Sequence, residues 1–131
     1  MIPVPPPTGG LRHVALFVTD LPACENFYVG LVGMTVEWRP DPDNLYLTSG
    51  NDNLALHRAV KTPEGPQRLD HIGFILRDES DVDQWYEYLK SHGVMMKTAP
   101  RTHRDGARSF YCQDPADNTV QFIYHPPIAG K

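Results

Sequence analysis

Apolar residues in this chain alternate with a period of two in short runs and switch, twice, to helical spacing. Across residues 11–18, Val14, Leu16 and Val18 point one way while His13, Ala15 and Phe17 point the other, so one face seeks a helix and the other a cavity. Asp20 is a good N-cap, Pro22 suits a first helical turn and Gly33 marks a stop, which predicts a helix near 21–32. Three short strands are expected near 34–39, 44–49 and 53–59, separated by the segment PDPDN and by Ser49-Gly50-Asn51-Asp52. The order then returns. A strand at 70–76 leads through Asp78 to a helix near 80–92 that ends at Gly93, followed by strands near 94–98, 108–113 and 119–124.

The return is a repeat in sequence as well as in pattern. LRHVALFVTDLPACENFYVGL at 11–31 recurs without a gap as LDHIGFILRDESDVDQWYEYL at 69–89, a constant offset of 58 (71 − 13) that aligns Leu11, His13, Asp20 and Leu31 with Leu69, His71, Asp78 and Leu89. The aromatic pairs Phe27-Tyr28 and Trp85-Tyr86 fall at the same register and read as core. A duplicated strand-helix unit with a histidine in each copy suggests ligands related by a pseudo-twofold axis. The expected architecture is α+β, with two tandem βαβββ modules at 11–60 and 69–126, joined by a linker at 61–68, forming an eight-stranded half-open barrel around a cavity. Residues 1–10 carry four prolines and two glycines and read as a flexible arm before a single domain at 11–131.

Composition narrows the partners. A chain of 131 residues suffices for one core, and a net charge of −4 offers no basic stripe for nucleic acid. No apolar run approaches the roughly 20 residues that cross a bilayer, and the first residues lack the pattern of a secretory signal. Cys24 and Cys112 have neither metal spacing nor a disulfide framework and read as buried thiols in a reducing compartment, hence a cytoplasmic expectation.

Strand parity selects the candidate chemistry. With Leu54 and Leu56 facing the helix, Ala55 and His57 turn inward; with Val120, Phe122 and Tyr124 facing the helix, Gln121 and Ile123 turn inward. The inward set therefore contains His13, His57, His71 and Gln121, on the first and last strands of each module. Neutral imidazoles are good ligands for Zn, Fe, Ni and Mn, and an amide oxygen can complete the shell. The competing account makes the histidines core or cavity-lining groups bonded to backbone, and Gln121 a polar wall residue.

The residues Leu11-Arg12-His13-Val14-Ala15, Leu69-Asp70-His71-Ile72-Gly73, Phe27-Tyr28 and the closing Asp114-Pro115-Ala116-Asp117-Asn118-Thr119-Val120-Gln121 resemble the vicinal oxygen chelate superfamily of glyoxalases, extradiol dioxygenases and bleomycin-resistance proteins. The resemblance covers about residues 11–126. It implies a divalent metal (Fe, Zn, Ni or Mn) held by His13, His57, His71 and Gln121, a small-molecule substrate bound through adjacent oxygens, and a homodimer. Two positions depart from the family pattern: Gln121, where glutamate is usual, and Asp117, where the turn prefers glycine.

Two functions follow. One is a metal-dependent enzyme with lyase, isomerase or ring-cleaving dioxygenase chemistry, in which His57 acts as acid/base and Tyr111 supplies a hydroxyl. In it the loop at 100–108 brings His103, Arg104 and Arg108 to an anionic part of the substrate. The other is a metal-free small-molecule binding protein of the bleomycin-resistance type, favoured by the lost glutamate and the net acidity.

Overall fold

A computed structural model of the chain describes residues 3–5, 11–60 and 69–129. Most of the expected arm and the linker at 61–68 lie outside the described residues. The chain divides into two compact units, Met1–Lys61 and Thr62–Lys131.

In the first unit, β1 (His13–Val18), β2 (Thr35–Asp41), β3 (Asn44–Thr48) and β4 (Asn53–Arg58) form one sheet in the order β1-β4-β3-β2. β1 runs parallel to β4 and the other pairs are antiparallel. Alternation holds in β1: Leu16 and Val18 are buried, whereas His13, Ala15 and Phe17 are exposed. Leu45, Leu47, Leu54 and Leu56 bury the same apolar face. Pro40, which cannot donate to a ladder, is accommodated because β2 is the edge strand and its register slips twice.

Helix α1 (Leu21–Glu25) starts as the sequence predicts, with Asp20 accepting from the Ala23 amide at 3.0 Å. The α-helix expected to reach 32 instead widens into a π-helical segment, Asn26–Leu31, in which the Val32 amide donates to the Phe27 carbonyl. The wider turn keeps Phe27 and Tyr28 buried. Arg39 on β2 then clasps Glu25 with two bonds of 2.9 and 2.7 Å and lowers that carboxyl from its ordinary value.

The second unit repeats the plan with β5 (Ile72–Leu76), β6 (Arg101–Thr102), β7 (Arg108–Gln113) and β8 (Thr119–Tyr124) in the order β5-β8-β7-β6, with β5 parallel to β8. Helix α2 (Glu79–Ser91) lies over β5, β7 and β8 and opens with a capping box between Asp78 and Asp81. Its core is aromatic: Phe122 stacks on Phe74, Trp85 and Phe110 with ring centroids 5.3–5.4 Å apart. Arg108 grips Asp83 on α2 with two bonds of 2.8 Å.

The strand expected at 94–98 is corrected by the structure. The amides of Lys97 and Thr98 both donate to the Tyr111 carbonyl, so the segment bulges beside β7 and only Met96 forms a bridge there, to Cys112. Regular pairing begins after Pro100, at Arg101–Thr102. Among the described residues, no helix is long and apolar enough to cross a membrane.

Candidate functional site

Cross-strand register places the candidate residues of each unit in rows across its sheet. In the first unit Ala15, Ala55 and Tyr46 lie side by side on β1, β4 and β3. The 58-residue repeat carries Ala15 to Gly73, and the row through Gly73 continues to Gln121 and Tyr111 on β8 and β7. The two rows correspond residue for residue, tyrosine included, and differ chiefly where one has Ala55 and the other Gln121.

This changes the pairing expected from strand parity. The counterpart of Gln121 is Ala55, and His57 belongs to the next row, with Phe17 and Asn44. Its counterpart in the second unit is Ile123, between Ile75 and Ser109. Two residues along a strand is about 7 Å, so His57 stands one full step from the first unit's equivalent of Gln121. Parity alone could not distinguish positions 55 and 57, because both face the same way.

The three histidines share a feature of bonding. His13 Nδ1 lies 2.7 Å from Asn53 Oδ1, and Asn53 Nδ2 donates to Glu37 Oε2 at 3.0 Å. His57 Nδ1 lies 2.6 Å from Asn44 Oδ1, and Asn44 Nδ2 donates to both Asp41 oxygens at 2.9 and 3.0 Å. His71 Nδ1 lies 2.6 Å from Asp70 Oδ1. An ionised carboxylate only accepts, so Glu37 and Asp41 fix which end of each asparagine is the amide nitrogen. Each imidazole then faces an oxygen through Nδ1, which must carry the proton, and the neutral ring keeps its lone pair on Nε2. Asn44 and Asn53, the residues that do this, read from sequence as turn and strand-start positions. Asn53 was discoverable in principle, since parallel pairing of β1 with β4 puts it beside His13.

In the second unit, Gln121 is buried and its Nε2 donates to the Tyr111 hydroxyl at 3.1 Å. The amide oxygen is thereby directed away from that bond, and a Cβ built on Gly73 would sit 3.6 Å from it. The His71 ring meets Tyr111 edge to face at 5.2 Å. His71, Gln121 and Tyr111 thus form one cluster.

The first unit has a depression of about 650 Å³ beside His13, bordered by Arg12, Glu37 and Asp52. Beyond it runs an aromatic band. Trp38 stacks on Tyr46 at 5.1 Å, Tyr46 meets His57 edge to face at 5.9 Å, and Phe17 lies 6.2 Å from His57. Phe17 and Trp38 are 68% and 58% exposed, unusual for large apolar side chains on an ordered sheet.

The loop residues separate by role. Arg108 is committed to Asp83 and also bonds Thr102, while His103 Nε2 lies 3.1 Å from the buried Ser109 hydroxyl. Arg104 is exposed at the turn and has no ion pair among the described residues. The Cys112 thiol is pushed up to about 12 by burial and, secondarily, by Asp114, which disfavours the thiolate. Asp117 adopts the left-handed backbone, φ 64°, that the turn requires.

Among the described residues no group of three His, Cys, Asp or Glu is gathered as a ready metal cluster. Taken one by one, the donors suit a borderline divalent ion: imidazoles with Nε2 lone pairs and an oxygen bonded at Nδ1, and, in the second unit, an amide oxygen whose nitrogen is tied down.

A family model for the Glyoxalase/Bleomycin resistance protein/Dioxygenase superfamily matches residues 10–122. The chain is 30% identical over 116 residues to the metallothiol transferase FosB of Staphylococcus epidermidis, covering 85% of this chain and 78% of that one. Lactoylglutathione lyase from Agrobacterium tumefaciens shares the fold with a TM-score of 0.78 at 20% identity, over 94% of this chain and 98% of the other. The fosfomycin resistance protein FosX from Mesorhizobium loti does so with a TM-score of 0.71 at 22% identity, over 90% and 93%. With its duplicated βαβββ units and a family match over most of its length, the chain belongs to the glyoxalase/bleomycin resistance protein/dioxygenase superfamily.

Proposed function

We propose that this protein is a metal-dependent enzyme that binds a small substrate through adjacent oxygens, with His13, His71 and Gln121 as metal ligands and His57 as the acid/base. The observation that carries the reading is the shared anchoring of the histidines through Nδ1, which leaves each Nε2 available. The relative named as a metallothiol transferase supports a metal and a small organic substrate. A bound divalent ion, Fe, Zn, Ni or Mn, supplies Lewis acidity toward two neighbouring substrate oxygens.

The chain's own groups do the rest. Asn53 and Asp70 orient the first and second imidazoles, and Tyr111 fixes the amide of Gln121. Because the Tyr111 hydroxyl accepts from Gln121, its own proton is free to donate to a substrate oxygen. Neutral ligands leave the ion's full charge in place, favouring proton transfer next to a carbonyl, lyase or isomerase chemistry, over oxygen activation. Arg104 and His103 would meet an anionic part of the substrate; Arg108 secures the loop through Asp83.

A second reading, a metal-free binding protein for planar compounds, is favoured by the exposed aromatic band of Phe17, Trp38, Tyr46 and His57. Metal analysis of untagged protein purified without chelator separates them. About one ion per chain, lost in the folded His13→Ala/His71→Ala variant, is expected. No ion after incubation with Fe(II), Mn, Ni and Zn overturns the enzyme reading and leaves the binding protein.

A further inference from the structure

The hairpin joining β2 to β3 has the composition of a plain turn, yet its polar atoms are organised around one imidazole. Asp41 accepts from the Asp43 amide at 2.8 Å, which fixes the carboxylate in the turn, and takes both remaining contacts from Asn44 Nδ2. Asn44 Oδ1 is thereby aimed at His57 Nδ1, 2.6 Å away on the neighbouring strand. Arg58, next to His57, pairs with Asp43 at 3.2 Å and ties the turn to β4 a second time. The ring is held laterally by Phe17 and Tyr46. Its row in the second unit contains only Ile75, Ile123 and Ser109, so nothing in the duplicated frame calls for a histidine or its clamp here.

We propose that Asn44, backed by Asp41, is a positioning residue that holds His57 as the Nδ1–H tautomer and so leaves the Nε2 of this half-buried ring as a proton acceptor. An unconstrained neutral histidine favours the opposite tautomer, with the proton on Nε2 and no lone pair there. In turnover, a substrate C–H or O–H bond breaks, its electron pair stays on the substrate, and the proton bonds to Nε2. The resulting imidazolium still donates Nδ1–H to Asn44, whose dipole is aligned by the Asp41 carboxylate, and the same Nε2 proton is returned in the second half of the reaction. The role as base rests on the catalytic reading above; the tautomer does not.

The test is two-bond proton–nitrogen correlation spectroscopy of the histidine rings at alkaline pH, where imidazoles are neutral, with resonances assigned by single histidine substitutions. Wild-type His57 is expected as Nδ1–H. Asn44→Ala should convert it to mainly Nε2–H, and Asn44→Asp, which restores an acceptor, should return it to Nδ1–H. Wild-type His57 as Nε2–H, or unchanged Nδ1–H in a folded Asn44→Ala variant, overturns the proposal. Should Asn44→Ala not fold, the wild-type and Asn44→Asp spectra decide it. Adding Zn(II) is expected to shift His13 and His71 and leave His57 as it was. A metal-bound His57 Nε2 would overturn its assignment as base, whereas no Zn(II) response at any histidine would count against the metal reading and leave the tautomer result standing.

Discussion

Gln121 donates its side-chain N–H to the Tyr111 hydroxyl across the β7–β8 ladder, and in that orientation the amide oxygen is the end offered to a ligand. With the hydroxyl removed, the amide can rotate and present nitrogen as readily as oxygen. Tyr111→Phe is therefore expected to fold normally and to weaken Zn(II) binding about tenfold, the low end of what loss of an outer-shell partner costs. Gln121→Glu, which adds a negative donor, should tighten it. Competition against a chromophoric chelator measures both.

Gly73 lies beside Gln121 on β5, and the space above it is open enough for a methyl group at ordinary contact distance from the amide oxygen. Removing a strand glycine relieves an entropic cost, so Gly73→Ala should raise stability by about 0.5 kcal/mol. The same methyl, 3.6 Å from the oxygen, narrows the approach of an ion to it, so metal affinity should fall. Opposite signs in thermal unfolding and metal titration are the expected result; a fall in both would show that the methyl disturbs the sheet itself.

The two bonds from Arg108 hold the Asp83 carboxyl below its ordinary value of 3.8. A depressed folded-state value stabilises the protein above the unfolded value and loses that contribution as pH falls through the folded one. Asp83 is half exposed, so the contribution is about 0.5–1 kcal/mol at neutral pH. Urea unfolding of wild type and Asp83→Asn should differ by that amount at neutral pH and converge in acid below the ordinary carboxyl value.

Cys112 is fully buried, and its thiol is raised to about 12. Native protein should leave Cys112 unalkylated by iodoacetamide under mildly alkaline conditions, with rapid labelling once urea unfolds the chain. Peptide mass spectrometry reads the site directly.

Phe122 touches aromatic rings from β5, α2 and β7. Phe122→Ala removes all three contacts at once and should destabilise by about 3–5 kcal/mol in chemical unfolding. Phe74→Leu keeps most of the volume and should cost about 1 kcal/mol.

The duplication, the order of elements and the alternation of β1 were legible because each depends on local periodicity and caps. The repeat of His13 at His71, and the N-caps Asp20 and Asp78, needed no tertiary information. The bulge at Lys97 and Thr98 did not show, because their alternation is that of a good strand and the fault lies in two amides sharing one carbonyl of a distant residue. The π-helical widening at Asn26–Leu31 was hidden for a related reason: its sequence has ordinary helical spacing. In the site, parity fixes the side of the sheet but not the row; only the pairing of Phe17 with His57 and of Gly73 with Gln121 separates His57 from the row equivalent to Gln121. Asn44 and Asn53 carry no local signal of their role in the sequence, because an asparagine near a turn has an adequate local explanation.

The separations of the contacts around His57 carry a kinetic consequence. Asn44 and His57 are 13 residues apart and face each other within one hairpin, whereas the parallel pairing that brings Phe17 beside the same ring spans 40 residues (57 − 17). Hairpins close in about 1–10 μs, while parallel pairing must wait for a long crossover. The imidazole is therefore expected to acquire its orientation from neighbouring chain early in folding, before the long-range pairing reaches the ring.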